Sequence, residues 1–222
     1  MRIGILGSGR MGGTLGSIWA RAGHAVTFSY SRSPAGLERL AREAGARAGT
    51  PAEAVRGADA VLLAVHWSRI DDVLTQAGDL DGRIIVNCCV PLDAADRELI
   101  VGTTTSGAEL LAERLPGARL VSAFNTAPSE ALAALARGWG SAPPPHLLYY
   151  GDDAEAKTVA AGLIRDAGYH PLDAGPLRTA RFAEPFAMVT AVLAYEQPGG
   201  PALVYRFDRL GGEAEETDEP HS

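Results

Sequence analysis

The chain has 222 residues, 46% of them apolar and 21% charged, with a formal net charge of −7. That is ordinary globular composition, long enough to bury a real core, and it excludes a disordered chain. Five of the acids (Glu213, Glu215, Glu216, Asp218, Glu219) fall in the last twelve residues, which hold no Lys or Arg, so the remainder carries only −2 and no basic stripe; this argues against nucleic acid as a partner.

Arg2 to Leu6 is a short apolar run and reads as a buried first strand. Glycines follow, then a helix from Arg10 to Ala22 closed by Gly23. Ala25 to Ser29 is the second strand. Pro34, suited to a first helical turn because it lacks a backbone donor, opens a helix to Ala44 that Gly45 closes. Thr50, Pro51 and Glu53 form a capping-box pattern. Asp59 to Val65 is the clearest buried strand, followed by a helix over Arg69 to Gln76 and a strand over Arg83 to Asn87. Val90 to Thr105 reads as loop. Helices over Ala108–Leu115 and Ser129–Arg137 flank a strand at Arg119–Ala123. Gly138 to Pro145, with three consecutive prolines, breaks the chain. His146–Tyr150 is a strand, Asp152 and Asp153 cap a helix to Ala167, and Tyr169–Leu172 is a short strand. Leu177 to Tyr195 is a long apolar helix, interrupted or bent near Pro185. Strands alternating with helices predict an α/β fold of Rossmann type: a doubly wound, mostly parallel sheet with a C-terminal strand and helix extension. Residues 1–210 read as one such domain and 211–222 as a disordered acidic tail.

Four places carry chemistry. Gly7-Ser8-Gly9-Arg10-Met11-Gly12 lies directly after a strand and opens a helix, the context in which this pattern binds a dinucleotide pyrophosphate. After the second strand come Ser31, Arg32 and Ser33, with no acid between Ala25 and Gly36. An acid there would take the ribose 2′-hydroxyl of NAD, whereas a guanidinium pairs with the 2′-phosphate of NADP, so NADP(H) is expected. Ala64-Val65-His66-Trp67 ends the strand at Asp59 to Val65, and His66 either touches a ligand there or is a loop histidine. Ser122 to Pro128 ends another strand, and Asn125 is a candidate for orienting a bound ring by hydrogen bonding. Cys88 and Cys89 are adjacent and read as reduced thiols; His24, His66, His146, His170 and His221 show no metal-ligand spacing, so no metal is expected. The glycine turn begins within seven residues of Met1 and no run of 18 apolar residues exists, so neither a signal peptide nor a membrane span is expected and the cytoplasm is the expected compartment.

Taken together, these features resemble the NADPH-dependent coenzyme F420 reductases, the F420H2:NADP oxidoreductases, in their bacterial branch related to the STEAP reductase domain. The resemblance rests on the glycine turn, Ser31-Arg32, Val121 to Thr126 before Ala127-Pro128, and Tyr149-Tyr150-Gly151-Asp152-Asp153 followed by His170 to Leu177. It implies an oxidoreductase that transfers a hydride between NADP(H) and coenzyme F420. It also implies that Gly7, Ser8, Gly9, Arg10, Met11 and Gly12 bind the pyrophosphate and Ser31 and Arg32 the 2′-phosphate. Val65, His66, Val90 and Pro91 would border the nicotinamide, and Asn125, Thr126 and Pro128 the second ring. A homodimer helped by the C-terminal helix is implied as well. The archaeal reductases have proline at the position of His66 and histidine at that of Asn125, so the alternatives stay open: reduction of FMN, FAD or a small carbonyl or imine, or a non-catalytic NADP-binding redox sensor. The acidic tail has no apolar residues to bury, so a chain ending at Leu210 should keep the melting temperature and activity of the full chain; a loss of either contradicts this.

Overall fold

The computed structural model describes residues 1–138 and 142–210. The expected acidic tail at 211–222 and part of the proline-rich break lie outside the described residues. The elements in chain order are β1 (Arg2–Leu6), α1 (Arg10–Arg21), β2 (Ala25–Ser29), α2 (Pro34–Ala44), β3 (Arg47–Ala48), α3 (Pro51–Val55), β4 (Ala60–Leu63) and α4 (Ile70–Ala77). They continue with β5 (Ile84–Asn87), α5 (Gly107–Arg114), β6 (Arg119–Ala123), α6 (Ser129–Leu135), β7 (His146–Gly151), α7 (Ala154–Asp166), β8 (His170–Asp173) and α8 (Ala180–Tyr195). The strands form one sheet in the order β3-β2-β1-β4-β5-β6-β7-β8. All neighbours pair in parallel except β6 with β7. This is the expected Rossmann-type α/β fold with a C-terminal extension.

The sheet is buried on both faces, and the two-residue period of a strand divides its side chains between two cores. Ile3, Ile5, Leu62, Ile84, Val86 and Val121 pack with Leu15, Ile18 and Trp19 of α1 and Leu163 and Ile164 of α7. Leu6, Val61, Leu63, Ile85 and Leu120 pack with Ile70 and Val73 of α4, Leu111 of α5 and Ala180 and Ala183 of α8. Local caps fix the helix starts: Ser33 accepts from the Gly36 N–H, Thr50 and Glu53 form the full capping box, and Asp153 accepts from the Ala156 N–H. Asp152 does something else, accepting from the Leu177 N–H at 2.9 Å and so tying the start of β8's following turn back to β7.

Three differences from the sequence reading have physical causes. The strand β3 is two residues long, too short to show a period, and exists because Arg47 and Ala48 pair with Thr27 and Phe28. The expected helix from Leu177 begins as a 3₁₀ turn over Leu177–Thr179, and α8 starts at Ala180. Of the interruption or bend expected near Pro185, the interruption does not occur: α8 runs through it to Tyr195. Proline inside a helix costs about 3 kcal/mol. Burial of Ala180, Ala183 and Ala187 on either side holds the helix together regardless.

One tie between α8 and α5 has a pH signature. Glu184 is buried, and its carboxylate accepts the Gly107 and Ala108 N–H groups at 2.9 Å each. Burial pushes its pKa up from 4.5 to about 7, against the lowering effect of those two donors. A folded-state value above the unfolded one means that the native state binds the proton more tightly. Stability from this group is therefore fully present below pH 4.5 and lost as pH rises through about 7. Between pH 5 and 8 the stability of the natural chain should fall relative to Glu184→Gln by on the order of 2 kcal/mol, read by denaturant melts at each pH; a pH-independent difference contradicts it.

Candidate functional site

The strands end in register, and that places the loops. Ser29, Leu6, Leu63, Asn87 and Ser122 stand side by side across β2, β1, β4, β5 and β6. Beyond this row lie the segments singled out from sequence, at the carboxyl edge where α/β sheets bind ligands. The strand order reverses direction between β1 and β4, so the crevice opens there. The row itself contains buried polar groups: the Ser29 hydroxyl donates to the Ile5 carbonyl, and the Asn87 amide to the Ser122 hydroxyl. A hollow of about 420 Å³ lined by Arg2, Arg47, Glu53 and Arg56 lies at the opposite, amino end of β1 to β3 and takes no part in this edge.

Gly7 has φ 110° and a side chain there would collide with the Ala64 carbonyl; at Gly12 one would collide with the Gly7 carbonyl. The first turn of α1 can therefore lie directly on the ends of β1 and β4. Around Gly9, by contrast, a Cβ would meet nothing within 4 Å, so this face of the turn is open. The helix N-terminus carries no side-chain cap and no acid in its first turn. Free N–H groups and a positive dipole end are thus left for an anion. Ser8 contributes backbone rather than side chain, since its hydroxyl donates to the Ser29 carbonyl at 2.8 Å. Met11 packs partly into the core. Arg10 is 84% exposed on its side chain and reaches Glu130 at 3.5 Å, a weak surface pair.

At the end of β2, Arg32 is exposed and forms no ion pair among the described residues. Ser31 accepts from the Ser33 N–H at 3.2 Å, which orders the loop. Tyr30 stands at φ 56° and donates to Asp72 of α4, whose other oxygen accepts from Gln76. An acid thus does reach this rim, from a distant element, but its carboxylate is engaged and lies in the field of Arg69.

Val65 lies against Gly7 and the second core. His66 Nδ1 lies 3.2 Å from the Ser68 N–H and 2.8 Å from the Ser68 hydroxyl, and Nε2 lies 3.1 Å from both the Asp93 carbonyl and an Asp96 carboxylate oxygen. Both ring nitrogens are engaged, so His66 ties the loop after β5 to the end of β4. Val90 is half-buried and Pro91 buried. Cys88 and Cys89 are reduced and buried, both donating to the Leu63 carbonyl, and burial pushes the Cys89 thiol up to about 12.

At the end of β6, Phe124 is fully buried at φ 68° and packs edge-on against Trp19. A non-glycine residue in this region costs roughly 1–2 kcal/mol, and the strain turns the chain so that Asn125 follows on the edge. The Asn125 amide nitrogen donates to the Tyr150 hydroxyl at 2.6 Å, while its oxygen is buried with no partner among the described residues. That orphaned acceptor costs about 1–3 kcal/mol unless a ligand donor meets it. Thr126 is fully buried and its hydroxyl bonds Tyr205 at 2.6 Å, which anchors the C-terminal segment to this edge. Pro128 is buried at the start of α6.

The sequence reading missed Tyr150, Tyr205 and Glu184, which brace this edge from behind. Glu184 had a signal, as a lone acid in the apolar stretch Ala183 to Val192. Among the described residues no group of three or more His, Cys, Asp or Glu side chains could hold a metal, and no helix is long and apolar enough to cross a membrane. An uncapped helix start, an open glycine face, an unpaired arginine and an orphaned amide oxygen on one edge fit a dinucleotide with a further phosphate and a ring amide.

Comparison with known proteins agrees. Residues 2–91 match the family described as NADP oxidoreductase, coenzyme F420-dependent. Rat metalloreductase STEAP3 is 30% identical over 183 residues, 82% of this chain, which spans about a third (36%) of that protein's length. A structure from Arthrobacter sp. FB24, provisionally assigned as an F420-dependent NADP reductase, superposes with TM-score 0.83 at 27% identity, covering 94% of this chain and all (100%) of that one. A hypothetical protein from Sinorhizobium meliloti is 30% identical with TM-score 0.69, covering 94% and 96% of the two chains. A reductive aminase from Aspergillus terreus shares the fold, at 19% identity and TM-score 0.61 over 86% of this chain and 60% of its own. The matched residues 2–91 contain the glycine turn, Arg32, His66 and Pro91, and over that stretch the chain is similar to the coenzyme F420-dependent NADP oxidoreductases.

Proposed function

We propose that this chain transfers a hydride between NADP(H) and the deazaflavin coenzyme F420. The observation that carries the reading is the Asn125 amide oxygen, buried without a partner at the strained end of β6. The imide N–H of a deazaflavin ring would satisfy it. The backbone of Gly7, Ser8, Gly9, Arg10, Met11 and Gly12 receives the pyrophosphate on the N-terminus of α1. Arg32 and the Ser31 hydroxyl receive the 2′-phosphate. Val65, His66, Val90 and Pro91 wall the nicotinamide side, and Asn125, Thr126 and Pro128 the side of the second ring. When bound, NADP(H) supplies the transferable hydride and F420 the ring that exchanges it. The protein's part is to hold two faces together and exclude water; no side-chain nucleophile is required.

The working unit we propose is a cytoplasmic homodimer. On α8, Phe182, Val189 and Leu193 are 63%, 52% and 47% exposed and fall on one face at helical spacing. Such an unpartnered apolar stripe suits a second copy of the chain.

Purified protein should oxidise NADPH with coenzyme F420, and Asn125→Ala should lower kcat roughly 10-fold or more. Followed by absorbance with F420, FMN and FAD offered separately, turnover with flavins alone makes the chain a flavin reductase. No turnover with any of them redirects it to carbonyl or imine substrates or to a sensing role. In the second test, Arg32→Glu should weaken NADPH binding roughly 10–100-fold while leaving NADH binding within about threefold. Equal losses for the two nucleotides would remove Arg32 from the 2′-phosphate site.

A further inference from the structure

The hydride-transfer roles above leave Glu184 unused, although it is 1% exposed and sits immediately behind the site. Each carboxylate oxygen accepts a backbone N–H at 2.9 Å, one from Gly107 and one from Ala108. These are the first two residues of α5, where orphan donors and the positive end of the helix dipole favour a negative group. A buried carboxylate is costly unless its lone pairs are matched, so the pairing has little tolerance. The matching atoms are backbone atoms without rotamers, and the carboxylate therefore fixes where Gly107 lies.

Gly107 in turn lies directly on Pro91. A Cβ at Gly107 would stand 2.9 Å from both Cδ and Cγ of the proline ring, so the two residues are already in close contact. One turn before Glu184 on α8, Arg181 grips Glu109 with bonds of 2.7, 2.9 and 3.1 Å, and the Ser106 hydroxyl donates to the same carboxylate. Glu109 and Tyr150 are the other titratable groups within the field of Glu184. Tyr150 is the residue that holds the Asn125 amide. The wall at Pro91 thus rests on one buried carboxylate, and the brace behind Asn125 lies within that group's field.

We propose that Glu184 is a positioning residue for hydride transfer, setting through Gly107 the position of the Pro91 wall against which the nicotinamide ring rests. This depends on the reading of Pro91 and Asn125 as ring-bordering. The nucleotide's phosphates are held elsewhere, at α1 and Arg32, so displacing the wall changes ring alignment and leaves anchoring intact.

The test uses the full chain and three variants. Glu184→Gln keeps the volume but sets an amide N–H against a backbone N–H. Gly107→Ala leaves the carboxylate alone and pushes on Pro91. Glu109→Gln loosens the same α5–α8 contact without touching the Glu184 bonds. The first two should each lower kcat roughly tenfold with the NADPH Kd within about twofold, a split that simple destabilisation does not produce. The third should lower the melting temperature and leave kcat per folded enzyme within about twofold. Retained kcat in Gly107→Ala or in folded Glu184→Gln overturns the proposal, as does an equal kcat loss in Glu109→Gln. If Glu184→Gln does not fold, Gly107→Ala alone decides. If the natural chain turns over no acceptor at all, the hydride reading fails separately. The fluorescence of bound NADPH then serves as readout: a shift in Glu184→Gln and Gly107→Ala but not in Glu109→Gln supports the positioning role, and identical spectra overturn it.

Discussion

The candidate site depends on how closely one helix start approaches the sheet. Glycine at positions 7 and 12 removes the two side chains that would stand between the first turn of α1 and the ends of β1 and β4. The packing farther along is equally close: Phe28 of β2 fills the space where Gly16 lacks a side chain. With α1 seated this low, its free N–H groups lie at the level where neighbouring strands end. A helix held one side-chain layer higher would present the same donors several ångströms from the crevice. The dipole at a helix start acts mainly within the first turn, so that distance decides whether the edge attracts an anion.

What stands beyond the edge is braced from behind by polar groups rather than by more apolar packing. Asn87 joins Ser122 between β5 and β6, Tyr150 holds Asn125, and Tyr205 bonds both Thr126 and the Leu148 N–H. These bonds are directional, and a matched buried polar group specifies one geometry where apolar contact tolerates several. The chain thereby uses β7, the strand that reverses the sheet's direction, as a support for the preceding strand's terminal loop. Phe124 and Tyr30 carry left-handed backbone at two strand ends, a cost that the surrounding packing sustains.

Much of this was legible in the amino-acid sequence. Strands buried on both faces give unbroken apolar runs such as Ala60 to Leu63, and helix starts are signalled by local chemistry at Ser33, Thr50 and Asp153. The glycine turn and Arg32 were visible for the same reason, since each depends on residues next to it in the chain. What escaped the reading is non-local. Tyr30 meets Asp72 across 42 residues, Glu184 meets Gly107 across 77 and Thr126 meets Tyr205 across 79. No periodicity encodes such pairs. The partner of the Thr126 hydroxyl was invisible on this account, because Tyr205 is distant in the chain. Pro185 misled for the opposite reason: its local rule is sound, and tertiary burial outweighs it.

The paired thiols give the molecule a use that its chemistry does not require. Cys88 and Cys89 are the chain's two cysteines, buried side by side with both sulfurs on the Leu63 carbonyl and the thiolate disfavoured by burial. In the folded state they should resist alkylating reagents, since the thiolate is the reacting species. Separation of β4 from β5 exposes them together. The rate of thiol modification therefore clocks the opening of the middle of the sheet, with no probe to be introduced, and slowing of that clock by a nucleotide would report ligand binding through the protein's own breathing.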